Sequence, residues 1–500
     1  MKVYELLDAN EQRQLEIIQT LLSYQGKASI RELAEKLGVY RNTVKDDLAS
    51  LKNTLADQFA AVSLNETEGA VFFKTDGTVT NIDIGYLFLQ RSINYNILIY
   101  LFENGHFDQA TMAWRLGISE ATLSRRLRKL NTLLAEFSLK IRNGKLTGSE
   151  LQIRHFYFSL FWYGRPYELN EKEELDALGL EFIQTLETYL GIPFTEEGKI
   201  KMKLYLGIIS KRLALFNHQI KNYLEPGIDY EFNNSFYFAL QQILADYAKR
   251  FPYDLAAEES AIFYLFIVAN FSLDMDNART KELLNEGREQ GYFVVELSER
   301  VFKRVEERID VSKLSPIFMK NLRYLLFNIH VNSYYFHGQL SYFNTNNINE
   351  LLHEFPDPLL FDFAKDWAEW VVGLMGTSET ERASKQEYLF EYYAALVYLG
   401  YRDLDLKLVV GCDFPFERNI AYVFIDHLAN HIDPRIKVEL QPYQKAQSYD
   451  LIITNIHKDY PGIAPERVLV LFSLETSFDI ENVEQFVSFY YRKKLEKLIK

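Results

Sequence analysis

Ala34-Glu35-Lys36-Leu37-Gly38-Val39-Tyr40-Arg41-Asn42-Thr43-Val44 and, 79 residues later, Ala113-Trp114-Arg115-Leu116-Gly117-Ile118-Ser119-Glu120-Ala121-Thr122-Leu123 are two versions of one pattern. The small Ala34 and Ala113 permit close helix approach, and Leu37 and Leu116 point inward. Gly38 and Gly117 supply the left-handed residue that ends a first helix in a tight turn. Val39 and Ile118 then plug the core. A second helix follows, started by Tyr40, a poor N-cap, or by Ser119, a good one. Its buried stripe recurs at spacings of four and three, through Val44, Leu48 and Leu51 or through Leu123, Leu127 and Leu130, and the opposite face stays free. The geometry expected is a helix-turn-helix, with that free face shaped for the DNA major groove.

Each copy is followed by a segment with strand and turn signals, 61–73 around Asn65 and Gly69, and 137–153 around Asn143-Gly144, an Asn-Gly hairpin signature. Both units are therefore expected to be winged. The free faces nominate Arg41, Asn42, Thr43 and Lys45 in the first copy, where Asp46 and Asp47 weaken the positive field. In the second copy they nominate Ser119, Thr122, Ser124, Arg125, Arg126, Arg128 and Lys129, which makes this unit the stronger reader. Arginine pairs with guanine edges or with phosphate, and both are open to these side chains.

A net charge of −14 over 500 residues argues against nucleic-acid binding only if it is spread evenly. It is not. Residues 1–160 hold 19 lysines and arginines against 18 acids, and the remainder holds 36 against 51. Between residues 107 and 154 nine basic residues face four acidic ones. A neutral-to-basic head on an acidic body fits a duplex-DNA reader with a separate regulatory region. The single cysteine, Cys412, excludes a disulfide framework within the chain. The first ten residues lack a signal-peptide core, and the longest apolar stretch, 261–273, is too short to span a bilayer, so the expectation is a cytoplasmic protein with no membrane partner.

Behind the head the pattern is helical almost throughout, at 200–215, 236–247, 261–271, 318–336 and 389–399, with turns marked at 191–193, 226–227, 251–252 and 356–358. The last hundred residues change character. Apolar runs at 406–410, 436–440, 451–453 and 468–472 alternate with helical segments at 420–431 and 481–500, which implies an α/β module with a mainly parallel sheet. The fold class expected is multidomain and mainly α: winged helix-turn-helix units at 1–80 and 81–155, helical bundles at 156–285 and 286–402, and an α/β module at 403–500.

This order, with the paired helix-turn-helix as its specific part, resembles the Mga/AtxA family of virulence transcription regulators of Gram-positive bacteria. There, two phosphotransferase-regulation domains (PRDs) follow the DNA-binding units, and an enzyme-IIB-like module closes the chain. The resemblance implies transcription control, homodimerisation through the C-terminal module and histidine phosphorylation by the phosphocarrier HPr. The aromatic-rich tail at 486–491 suits such a dimer contact. In Leu322-Arg323-Tyr324-Leu325-Leu326-Phe327-Asn328-Ile329-His330, the histidine ends a pattern similar to the one preceding a regulatory histidine in second PRDs. His330 is the first candidate, with His337 one heptad later. In the first PRD the usual histidine position is occupied by Gly207, which leaves His218 as a substitute. Cys412 falls where enzyme IIB proteins hold a phosphorylatable cysteine, but Asp413, Pro415 and Glu417 do not form a phosphate cradle.

No Walker loop, dinucleotide fingerprint or metal-spaced Cys/His cluster occurs, so neither an enzyme nor a cofactor or metal is expected. The alternatives are a phosphocarrier, which needs a competent acceptor loop, and a PRD antiterminator that binds RNA, which needs a small β-rich head.

Overall fold

The computed structural model describes residues 1–171, 177–191, 194–216, 219–249, 256–270, 278–340, 358–404, 406–472 and 476–498. They gather into two compact bodies. The larger comprises the described residues of 1–296, 327–349 and 369–389, and the smaller those of 297–326, 350–368 and 390–500. The segment expected as a second helical bundle, 286–402, therefore shares its residues between the two bodies.

In the amino-terminal part of the larger body, helices begin where the sequence supplies caps. The first winged unit runs α1 (Ala9–Ser23), β1 (Lys27–Ser29), α2 (Ile30–Leu37), α3 (Arg41–Gln58), β2 (Val62–Thr67) and β3 (Ala70–Thr75). Ser29 and Glu32 form a reciprocal capping box at the start of α2. The strands make an antiparallel sheet of order β1-β3-β2. Its hairpin turns on Glu68 and Gly69, at φ of 53° and 77°, whereas Asn65 lies inside β2. The second unit runs α4 (Asn81–Arg91), α5 (Ile93–Asn104), α6 (Gln109–Arg115), α7 (Glu120–Leu134), β4 (Lys140–Arg142) and β5 (Lys145–Thr147). Asn143 and Gly144, at φ of 50° and 70°, form the tight turn between its two strands. A single bridge from His106 to Lys145 stands where the first unit has β1.

The rest of the larger body is helical: α8 (Glu150–Gly164), α9 (Tyr167–Glu171), α10 (Ala177–Leu190), α11 (Glu196–Phe216), α12 (Ser235–Ala248), α13 (Glu259–Ala269) and α14 (Ala278–Glu289). Every residue of α13 is buried, because its sequence is apolar on all faces after the first turn. Phe266 stacks on Tyr205 of α11 with ring centroids 3.6 Å apart. Four charges lie inside this core. Arg154 donates to Glu259 through both terminal nitrogens at 2.6 and 2.7 Å and to Glu150 at 2.9 Å, and Arg212 donates twice to Glu150 at 3.0 and 2.7 Å. Two arginines and two glutamates make the cluster neutral and hydrogen-bonded, which is what burial of charge requires.

Four longer helices, α15 (Phe293–Arg308), α16 (Pro316–Tyr335), α17 (Pro358–Leu374) and α18 (Glu379–Asp403), contribute residues to both bodies. The smaller body also holds the α/β module: β6 (Leu408–Asp413), α19 (Arg418–Ala429), β7 (Val438–Pro442), β8 (Leu451–Thr454), β9 (Val468–Val470) and α20 (Ser477–Glu496). All four strands are parallel, in the order β7-β6-β8-β9. The two central strands, β6 and β8, are the apolar runs of the sequence, as expected where both faces of a sheet are covered. Gly411 in β6 leaves room for Tyr449 and Ile452, whose side chains would lie 3.0 and 2.9 Å from a Cβ there. Among the described residues no helix is long and apolar enough to cross a membrane.

Candidate nucleic-acid interface

The two turns are superimposable in their local chemistry. Gly38 and Gly117 both have φ of 64°. Val39 N donates to Ala34 O at 3.1 Å, and Ile118 N donates to Ala113 O at 3.0 Å, the six-residue closure of a glycine-terminated helix. The second helix of each pair then leaves at the angle its turn dictates. Ser119 Oγ accepts from Thr122 N at 3.2 Å and lies 3.0 Å from Thr122 Oγ1, so these two expected contact residues serve as the cap of α7. Tyr40 makes no side-chain cap on α3.

On α3, Arg41, Asn42 and Lys45 are exposed and Thr43 is half-buried. Asp47 does not face outward as expected. It is buried and accepts from Arg13 at 2.8 and 3.2 Å, so of these two acids only Asp46 opposes the cations of α3. On α7, Ser124, Arg125 and Arg128 are exposed, and the arginine side chains form no hydrogen bond or ion pair with other described residues. Arg126 and Lys129 need correcting. Arg126 forms a fork with both carboxylate oxygens of Asp8, which holds the Asp8 carboxyl below its ordinary range, and Lys129 donates to Leu7 O at 3.0 Å. Both side chains tie α7 to the segment before α1. Arg154, counted with the basic stretch, belongs to the buried four-charge cluster and adds nothing to the surface field.

Sequence reasoning left out part of the basic surface. The hairpin β4–β5 alternates, so Ile141 is buried while Lys140, Arg142 and Lys145 are exposed. The strand period of two around an Asn-Gly turn was sufficient to find them. Asn131 of α7 braces this wing, donating to Ile141 O at 3.1 Å and accepting from Ile141 N at 2.6 Å. Two large aromatics also stand out on these units: Tyr40 is 86% exposed and Trp114 84%. The assembly is a tandem of winged helix-turn-helix units, the kind of module that lays a helix in the major groove and a hairpin beside it.

Comparison with known proteins agrees. Residues 80–161 match the Mga helix-turn-helix domain, and residues 13–62 match an HTH domain. The chain is 22% identical over 329 residues to the capsule synthesis positive regulator AcpB of Bacillus anthracis, covering 62% of this chain and 64% of AcpB. That is slightly less than two thirds of the relative's length. It is also 22% identical over 498 residues to a putative trans-acting regulator of Streptococcus pneumoniae serotype 4, covering 94% of this chain and 96% of that protein. The chain is Mga-like, and the resemblance to Mga/AtxA-type regulators expected from its sequence holds.

The candidate histidines lie in different surroundings. His330, in α16, is fully buried, and burial pushes its ring down to about 3, so it is neutral. His337 is not one heptad further along the same helix, because α16 ends at Tyr335 and His337 follows it in a segment without regular secondary structure. His218 lies outside the described residues. Arg323, seven residues before His330 on α16, lies over the ring of Phe302, 3.5 Å from its centroid, and 3.9 Å from Glu299. Cys412 lies within β6, and burial pushes its thiol up to about 12, far from the thiolate that phosphoryl transfer requires.

Proposed function

We propose that this chain is a transcription regulator of the Mga/AtxA virulence type that binds duplex DNA, chiefly through its second winged unit. The observation that carries the reading is the combination of Arg125 and Arg128, exposed on α7, with Lys140, Arg142 and Lys145 on the wing behind it. These five exposed cations on one winged unit suit a phosphate backbone with base edges in reach. Arg41, Asn42 and Lys45 of the first unit add a weaker second contact, as expected when one unit reads bases and the other positions the protein. A cytoplasmic location follows from this reading.

The finer assignments rest on the same resemblance. The five-segment division, with PRD-like regions at 156–285 and 286–402 and an enzyme-IIB-like module at 403–500, is the working map of the chain. Homodimerisation through that module is supported by the exposed Phe472, Phe478 and Phe489. For phosphorylation by HPr, His337 ranks before His330, since a fully buried neutral ring offers no approach to a phosphocarrier. The phosphocarrier alternative is disfavoured by the buried thiol of Cys412, and the antiterminator alternative by the paired winged units. A gel-shift assay with duplex DNA, single-stranded DNA and RNA hairpins tests the class. Preference for duplex is the expected result, and equal or stronger binding to RNA overturns the reading.

A further inference from the structure

The segment after α16, residues 336–340, is held by polar groups from five separate parts of the larger body. At its centre His337 places Nε2 3.0 Å from Glu225 and Nδ1 2.9 Å from Glu381, the latter in the first turn of α18. Ser138 Oγ, at the base of the second wing, lies 2.7 Å from the same Nδ1 and 3.5 Å from Glu381. Around this ring, His337 N donates to Gln152 Oε1 at 3.0 Å, Gln339 N donates to Glu136 Oε1 at 3.0 Å, and Ser384 Oγ donates to that oxygen at 2.6 Å. Lys385 of α18 lies 3.8 Å from Glu381. His155 of α8 faces the segment through Gly338 O at 3.2 Å.

The charges around His337 close only when its ring is protonated. An imidazolium donates through both nitrogens and so satisfies both carboxylates, and with Lys385 it balances Glu225 and Glu381. A neutral ring has one N–H. If Nε2 keeps it, Glu225 remains bonded, Ser138 turns its hydroxyl toward the bare Nδ1, and Glu381 faces a lone pair with a net negative charge left in a largely buried cluster. The wing base then stays with the 336–340 segment, and the first turn of α18 is released from His337.

We propose that His337 is a proton-operated clamp: charged, it ties the base of the second wing and the 336–340 segment to the start of α18, and on losing its proton it lets the start of α18 go.

The direction of titration agrees with this geometry. Burial works against the charged ring, but the hydrogen bonds to Glu225 and Glu381 outweigh it, and His337 titrates above its ordinary 6.5. Its bond to Glu381 in turn holds that carboxyl below the usual range. Burial lowers Lys385 and drives His155 down to about 4, so His155 stays neutral while His337 titrates. Because the folded value is raised, the contribution is complete below 6.5 and is lost as pH rises through that raised value. One further titratable cation faces the segment, the Met1 ammonium, which donates to Gln339 O at 3.0 Å and pairs with Glu136 rather than with either carboxylate of His337, so a pH response that runs through it survives Glu381→Gln.

The test is hydrogen–deuterium exchange of the full unliganded chain at about pH 6 and about pH 9, corrected for the intrinsic rate, which brackets the histidine range. DNA is not in the sample, so the outcome is independent of the function proposed above. In wild type, amides of the first turns of α18 should lose protection roughly tenfold at the higher pH, the factor expected from one charge-assisted hydrogen bond. In His337→Gln, whose amide can donate to only one carboxylate, those amides should exchange quickly at both pH values. Glu381→Gln, which keeps the bond to Glu225, should remove the pH dependence at α18 by itself and serves if His337→Gln does not fold. Wild-type protection that is the same at both pH values overturns the clamp, and so does an equal pH response in wild type and in either variant.

Discussion

The two winged units share a turn down to the φ of its glycine, yet they present opposite surfaces. In the first, the hairpin β2–β3 exposes Glu66 and Glu68 at its tip with Lys74 further down, and Asp46 sits beside Arg41 and Lys45. In the second, the hairpin carries three exposed cations and no acid, and α7 adds the exposed Arg125, Arg128 and Lys129. Support differs as well. The first wing is completed by β1, whereas the second has the His106 bridge and is attached to α7 by the side chain of Asn131 and by Leu139 N, which donates to Leu134 O at 3.0 Å. The comparison teaches that a repeated motif fixes a backbone geometry and leaves the electrostatics of its free face to be set independently.

The largest expected difference between the units is steric. In both, the chain at or just before the start of the motif's first helix donates to a wing glycine: Ile30 N to Gly69 O at 3.1 Å, and Phe107 N to Gly144 O at 3.0 Å. Only the second approach is tight. A Cβ on Gly144 would come within 1.9 Å of Phe107 O, while Gly69 has open space around it. Gly144→Ala should therefore cost about 3 kcal/mol or more by displacing backbone, and Gly69→Ala about 1–2 kcal/mol from its left-handed conformation alone. Thermal unfolding together with protease resistance of each wing checks this, and equal costs would mean that the second wing is no more constrained than the first.

A binding difference comes next. Arg125→Ala with Arg128→Ala should weaken duplex binding by roughly ten- to a hundredfold, and should flatten the slope of log K against log salt by about 0.9 for each lost phosphate contact. Arg41→Ala with Lys45→Ala should cost markedly less, because Asp46 already offsets part of that field. Salt titrations of both pairs, at matched folding, rank the units, and equal losses would reverse the assignment of the second as principal reader. The smallest difference is at the caps. Ser119→Ala should destabilise α7 by about 1 kcal/mol, and Tyr40→Ser should stabilise α3 by about 0.5–1 kcal/mol, as read from urea midpoints. A neutral result at Tyr40 would assign its exposed ring a role in the local fold that Ser cannot replace.

Several features were legible before any coordinates, because they depend on neighbours in sequence. The offset repeat, the two left-handed glycines, the unequal caps at Tyr40 and Ser119, the Asn143-Gly144 hairpin and the strand–helix alternation of the last hundred residues all follow from local backbone preference and periodic burial. What sequence spacing could not decide was the fate of individual charges. Arg126 looks like a groove-facing residue until it meets Asp8, 118 positions away, and Asp47 looks like a surface acid until it meets Arg13. Arg154 is neutralised by Glu259, 105 positions away, and His337 acquires both its carboxylates and the wing hydroxyl only when remote segments converge. A helix or a turn is written in side chains a few residues apart, so the chain itself specifies it. Whether a cation is free to bind a partner depends on which remote carboxylate the folded backbone delivers to it, and that was settled by tertiary structure alone.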